Sequence, residues 1–205
     1  PILKGRITAE SNFIVTGVLN GSKIEHETAL SLKGGSAAKA MASTETGINL
    51  AGKDFAIDAW VNLGSAGTLL SHGQGSQRFT AAVDAAGHLV VTIGDSVCTS
   101  SKSIPYGQWI FLTMSLTKDG VLNAEAAVDD VFIPLFSGLK VIAYDGNGRL
   151  SVGCGADAAI HELLLWDEAH DMTSALLNRS VTKSPSTRHL IGYWKMNEGE
   201  GTSIR

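Results

Sequence analysis

"FAIDAWVNL", residues 55 to 63, decides how this chain folds. Phe55, Ile57, Ala59 and Val61 fall on one side of an extended backbone, with Asp58, Trp60 and Asn62 on the other. That period of two marks a strand with one face buried. A strand here also settles what precedes it. In "GINLAGKD" (47–54), Gly47 and Gly52-Lys53 have the spacing of a P-loop, but Asp54 stands where a Ser or Thr should hold Mg²⁺. A P-loop needs a buried strand before it and a helix after it. Here the polar "MASTET" (41–46) comes before and a strand comes after, so no phosphate cradle is read.

Outward from this strand the pattern repeats. "GTLLSH" (67–72) is followed by "RFTAAVDAAGHLVVTIGD" (78–95), which bends at Ala85-Ala86-Gly87. Next comes "QWIFLTMSLTKDGVLNAEAAVDDVFIPL" (108–135), bending at Lys118-Asp119-Gly120, and then "GRLSVGCG" (148–155). Asp and Gly at the bends are hairpin residues. In "AIHELLLWD" (159–167), Ile160, Glu162, Leu164 and Trp166 alternate with His161, Leu163, Leu165 and Asp167, which predicts another strand. Hairpins at this spacing give an all-β, two-sheet antiparallel sandwich, not alternating strands and helices. The predicted core is Phe55, Ile57, Val61, Phe79, Val83, Leu89, Val91, Ile110, Leu112, Met114, Leu150, Val152, Leu164 and Trp166. One short helix is expected through "SALLNRSV" (174–181), capped by Asp171 or Thr173.

Asp167-Glu168-Ala169-His170 spells a helicase motif. Without a phosphate loop or a parallel sheet, its expected use is a turn that ends a strand. Composition agrees. Sixteen Lys plus Arg against twenty Asp plus Glu give a net charge of -4, with no basic run to follow a phosphate backbone. Nucleic acid is not an expected partner. The 205 residues, 44% hydrophobic and 18% charged, suit a single domain over 1–205, with 1–27 an N-terminal strand or packing segment. No apolar run approaches the roughly 20 residues that cross a bilayer, so no membrane insertion is expected and the chain reads as a soluble fragment or trimmed mature form. Cys98 and Cys154 lack metal or redox spacing. They read as small buried hydrophobes, with a single bridge open to a secreted chain.

Catalysis finds little support. Glu125 and Asp129 share a strand face, but four residues at about 3.3 Å each set them roughly 13 Å apart, beyond the spacing for glycoside hydrolysis. "HGQG" (72–75) has no Gly-x-Ser-x-Gly elbow to serve, and the six histidines show no zinc spacing.

"INLAGKDFAIDAWVNL", "GTLLSHG", "GRLSVGCGADAAIHELLLWDEAHDMTSALL" and "HLIGYWKMNEGEGTSIR" follow one another in an order that resembles the laminin-G-like or concanavalin A-like jelly-roll domains, over about residues 28 to 205. The closing "YWKMNEGEGTSI" looks most like versions on surface proteins of gut Bacteroidetes. The resemblance implies a jelly roll that is one module of a larger secreted or cell-surface protein, often associated with glycan capture. By position, Trp60, Trp109, Trp166 and Trp194 match the family's framework tryptophans, and Glu162 matches a strand acid. Three departures argue against calcium. "LKGGSAAKA" (32–40) replaces an aspartate-bearing segment, His161 stands for an Asp, and Asp130 stands for a Gly. "YDGNG" (144–148), with Asp145 and Asn147, is the remaining candidate and reads as a Gly-rich hairpin. No metal and no cofactor are expected.

The expected function is therefore a non-catalytic, lectin-like carbohydrate-binding module, with neighbouring domains of the same polypeptide as further partners. The alternative is a structural or adhesion spacer without a small ligand. The expected ligand-binding residues are Trp60 as a stacking plate, Asp58 and Asn62 as hydroxyl partners, and His72, Gln74 and Arg78 closing one side. Against this stands Trp60 as framework, covered by a loop or a terminus.

Overall fold

The fold comes from a computed structural model, which describes residues 3–6, 12–15, 18–19, 22–23, 28–32, 41–129, 131–153, 155–171, 173–175, 183–184, 186–196 and 203–204. Cys154 and residues 176–181 of the expected helix lie outside them. The first strands are β1 (Leu3–Arg6), β2 (Asn12–Val15), β3 (Val18–Leu19), β4 (Ser22–Lys23), β5 (Thr28–Leu32), β6 (Met41–Thr44) and β7 (Ile48–Asn49). Then follow β8 (Phe55–Leu63), β9 (Gly67–His72), β10 (Phe79–Val83), β11 (His88–Ile93), β12 (Ser96–Ser103), β13 (Trp109–Leu116) and β14 (Val121–Val128). The last are β15 (Val131–Lys140), β16 (Asn147–Gly148), β17 (Leu150–Val152), β18 (Ala158–Trp166), β19 (Leu190–Trp194) and β20 (Ser203–Ile204).

Two antiparallel sheets form a jelly-roll sandwich. Sheet A runs β12-β11-β10-β9-β17-β6-β1-β20, and sheet B runs β15-β14-β13-β8-β18-β5-β2 with β19 also paired to β18. The stretch with P-loop spacing becomes β7, which pairs with β16 across Asn49 and Asn147, and then leads straight into β8. Both predicted hairpin bends are present. Gly87 and Gly120 have φ of 87° and 76°, and a Cβ at either would lie 2.4 Å from a carbonyl oxygen, of Ile104 or of Val141. Glycine is required at both for its positive φ and for its missing side chain.

Between the sheets lies one large apolar core. From sheet B, Phe55, Ile57, Ala59 and Val61 of β8 meet Leu70, Phe79 and Val91 of sheet A. Phe55, Phe79 and Tyr144 form an aromatic trio at one end, with centroids 5.6 to 5.9 Å apart. Each such side chain taken from water contributes about 1.5–3 kcal/mol.

One part of the predicted core needs correction. Leu164 and Trp166 are buried, but against Ala56 on the far face of sheet B, while Leu163 and Leu165 enter the main core. The cause is a bulge. His161 pairs with Trp60 and Leu164 with Asp58, so β18 spends three residues where β8 spends two. Glu162, at φ 52°, takes the left-handed turn that absorbs the extra residue. Alternation is kept on each side of Glu162, and its phase flips across it.

Beyond Trp166 the chain turns back over the far face of sheet B. Residues 173–175 are helical, and the Asp171 carboxylate caps them by accepting the Ser174 N–H at 2.9 Å. The cover is tied at its base, where the Asp167 N–H donates to the His189 carbonyl at 2.9 Å. No helix among the described residues is long and apolar enough to cross a membrane.

Candidate functional site

The pairing registers set the far face of sheet B out as rows of side chains. One row runs His161, Trp60, Phe111, Ala127 and Phe132 across β18, β8, β13, β14 and β15. The next runs Leu164, Asp58, Thr113, Glu125 and Pro134. A third runs Trp166, Ala56, Ser115 and Asn123. The first row is mostly aromatic, the second carries three polar residues in the middle, and the third ends in the polar pair Ser115 and Asn123.

At the centre sits Asp58, only 2% exposed. Its carboxylate accepts the Thr113 hydroxyl at 2.5 Å and the Trp166 indole N–H at 2.8 Å, and lies 3.0 and 3.1 Å from His170 Nε2. A carboxylate offers only acceptors, so the His170 nitrogen supplies the proton of that contact. Burial of a charge is tolerated because donors from β13, β18 and the turn after β18 surround it. The bulge at Glu162 makes this possible, since it brings Trp166 to the far face.

A second buried polar group lies beside it. The Tyr193 hydroxyl donates to Glu162 Oε1 at 2.9 Å, and burial, assisted by the Glu162 charge, pushes the phenol well above its ordinary value. Burial pulls the Lys183 ammonium down, opposed by the charges of Glu162 and Asp58. Carboxylates and a lysine thus share a buried layer on the far face of sheet B.

Where the cover ends, the sheet opens to solvent. A hollow of about 260 Å³ is lined by Thr113, Ser115, Asn123, Ala124, Glu125, Ala169, His170 and Asp171. A second hollow of about 410 Å³, lined by Trp166, Glu168, Ser174 and Ala175 among others, shares the wall Ala169–Asp171. In the first, an amide, an imidazole and carboxylates line one space, with the buried Thr113 and Ser115 beneath it. Burial and then the nearby Asp171 charge raise the Glu125 carboxyl, whereas hydrogen bonds from Ser174 hold Asp171 low. The acids that share a space are therefore Glu125 and Asp171. Asp129, at φ 54°, sits in the turn before β15.

The six residues expected from sequence fall into two places. Asp58, Trp60 and Asn62 occupy the far face of β8, as the pleat requires. Trp60 is 8% exposed, its ring set edge-on to Phe111 at 5.2 Å and packed with Ala127 and Ala175, so the surface where a stacking plate was expected is closed. His72 lies on sheet A, buried against Tyr144 of the main core, with Gln74 and Arg78 exposed in the loop beyond it. The core separates the two groups. Thr113, Ser115, Asn123 and His170 were missed because their grouping depends on strand pairing and on the return of the cover. Their one sequence signal is polar residues in phase on neighbouring strands. Among the described residues no three His, Cys, Asp or Glu side chains gather as a metal site, and Cys98 is free and half-buried.

Neither a family model nor a curated protein sequence matches the chain. Solved structures do resemble it. The botulinum neurotoxin serotype C1 binding domain superposes with a TM-score of 0.59 at 13% identity, over 84% of this chain and 47% of that one. A structure described as a putative carbohydrate binding protein from Bacteroides ovatus ATCC 8483 gives 0.57 at 14%, over 95% and 54%. The heptameric SAP-like pentraxin of Limulus polyphemus gives 0.52 at 11%, over 92% of both chains. The chain spans about half the length of the first two and nearly all of the pentraxin. At these identities the likeness establishes the fold.

Proposed function

We propose that this domain binds carbohydrate without cleaving it, as one module of a larger secreted or surface protein, and that the glycan sits in the hollow over β13 and β14. The observation that carries this reading is the lining. Asn123, Glu125 and His170 bring amide, carboxylate and imidazole groups to one open space, above the buried side chains of Thr113 and Ser115 on strands whose backbones are fixed by pairing. Sugar hydroxyls need such a set of planar partners. The likeness to a structure described as carbohydrate-binding supports the same reading. Of the residues expected from sequence, Asp58 takes an indirect role here, because it holds His170 at the wall of the hollow.

The test is calorimetric titration of the folded domain against a broad glycan panel, with Glu125→Ala in parallel. Wild type is expected to bind, and the variant to lose about 1.5–3 kcal/mol of affinity, as for a hydrogen bond to a charged group. Absence of binding across the panel would replace this reading with a spacer module. Release of reducing sugar that disappears in Glu125→Gln would make the domain an enzyme.

A further inference from the structure

Phe132 is 53% exposed, the most exposed aromatic ring among the described residues. Its partner across the ladder is Ala127, which packs with Trp60 and Phe111 on the far face of sheet B. Phe132 therefore extends the aromatic row to the rim of that face. In the adjacent row Glu125 pairs with Pro134, so Phe132 and Glu125 are diagonal neighbours, at about 7–8 Å between backbones. The ring is not itself part of the lining of the hollow but stands next to Glu125, which is.

An apolar ring beside a polar hollow matches the two sides of a sugar, whose C–H face packs on an aromatic plate while its hydroxyls turn to polar groups. Charge narrows the ligand further. Among the described residues the hollow is lined by Glu125 and Asp171 with no Lys or Arg, and burial and then Asp171 already disfavour the ionised form of Glu125. Another negative charge there meets repulsion from two carboxylates, and His170 is the one described lining residue able to carry an opposing charge. We propose that Phe132 is the stacking plate of this site and that the site takes uncharged sugar rings in preference to sialylated or sulfated ones. This rests on the carbohydrate reading above and goes beyond it in naming the plate and the ligand class.

The experiment titrates wild type, Phe132→Ala, Phe132→Trp and Glu125→Ala with neutral hexose oligosaccharides and with their sialylated and sulfated counterparts. Thermal midpoints are measured beside them. Phe132→Ala is expected to keep the wild-type midpoint and lose roughly ten-fold or more in affinity for the neutral sugars, while Phe132→Trp retains binding. If wild type binds but Phe132→Ala binds equally well and Glu125→Ala does not, the plate is wrong and the hollow stands. Preference for acidic glycans overturns the ligand class. Concentration-dependent self-association abolished by Phe132→Ala, with glycan affinity unchanged, makes the ring a protein contact instead. A wild type that binds nothing removes the carbohydrate reading along with this one.

Discussion

The two sheets share a core and differ in what they place on their far faces. In sheet A, β10 and β11 alternate buried with half-buried residues, the mark of a sheet with water on one side. In sheet B, β8 and β18 are buried almost throughout and β13 nearly so. The returning chain covers them. A sheet closed on both sides has to satisfy every polar group it carries, whereas an open one can leave that to solvent. Asp58, Thr113, Glu162 and Lys183 are therefore held in a partnered layer, and the candidate site forms at the edge of the cover, where the same sheet changes from closed to open.

Asp58→Ala is the strongest way to break this contrast. It leaves the indole N–H of Trp166, the Thr113 hydroxyl and His170 without their common acceptor in a buried layer. A loss of about 3 kcal/mol is expected, because buried donors left unpaired carry their full desolvation cost. Thr80→Ala, on the far face of β10 in sheet A, should change stability by no more than about 0.5 kcal/mol. Urea unfolding of both variants compares them directly. Equal, small losses would mean that the cover is not tied to the sheet through Asp58.

The sequence made the inner half of this contrast legible and left the outer half hidden. Phe55, Ile57 and Val61 are apolar at period two, and nothing competes with burial for them. Asp58 and Trp60 shared the opposite phase, where a polar residue by default meets water. Only the return of residues 167–171 and 173–175 reverses that default, and contacts between distant segments leave no local period. The bulge is hidden for a different reason. Ile160, Glu162, Leu164 and Trp166 alternate without a break, and a Glu in left-handed backbone has no sequence mark that a Gly would give. The helicase spelling conceals a real role in the same way, since His170 closes on Asp58 only after the sheet has formed. β12, "SVCTSSKS", carries too few apolar residues to announce itself, and only pairing with β11 makes it a strand.

Tyr193→Phe sharpens the comparison with a smaller change. The phenol donates to Glu162 from the half-buried margin of the cover, and its ring packs beside Leu164. The ring stays and the hydroxyl goes, so the expected loss is about 1 kcal/mol. Double-variant analysis with Asp58→Ala should show coupling of at least about 0.5 kcal/mol if the polar layer acts as one unit. Strict additivity would divide it into independent contacts.

The last effect belongs to sheet A, where Thr44, His72 and Ser100 are buried polar residues and His72 is the one that titrates. His72 is 1% exposed, with Nε2 at 2.8 Å from the Ile48 carbonyl and Nδ1 at 2.7 Å from the Tyr144 hydroxyl. A carbonyl only accepts, so Nε2 carries a proton, while Nδ1 faces the Tyr144 hydroxyl, which donates toward the His72 and Gln77 carbonyls at 3.0 Å. Burial lowers the His72 pKa below its ordinary 6.5, against a smaller opposing effect from its backbone contacts. The unfolded chain therefore binds more protons than the folded one just below that pH. The contribution to stability is complete above pH 6.5 and is lost as pH falls toward the folded value. One histidine limits this slope to about 1.4 kcal/mol per pH unit. In His72→Gln, unfolding followed between pH 7.5 and 5.5 should start from lower stability and fall less steeply. A slope equal to wild type would assign the acid sensitivity elsewhere, and the polar layer of sheet B would be the place to look.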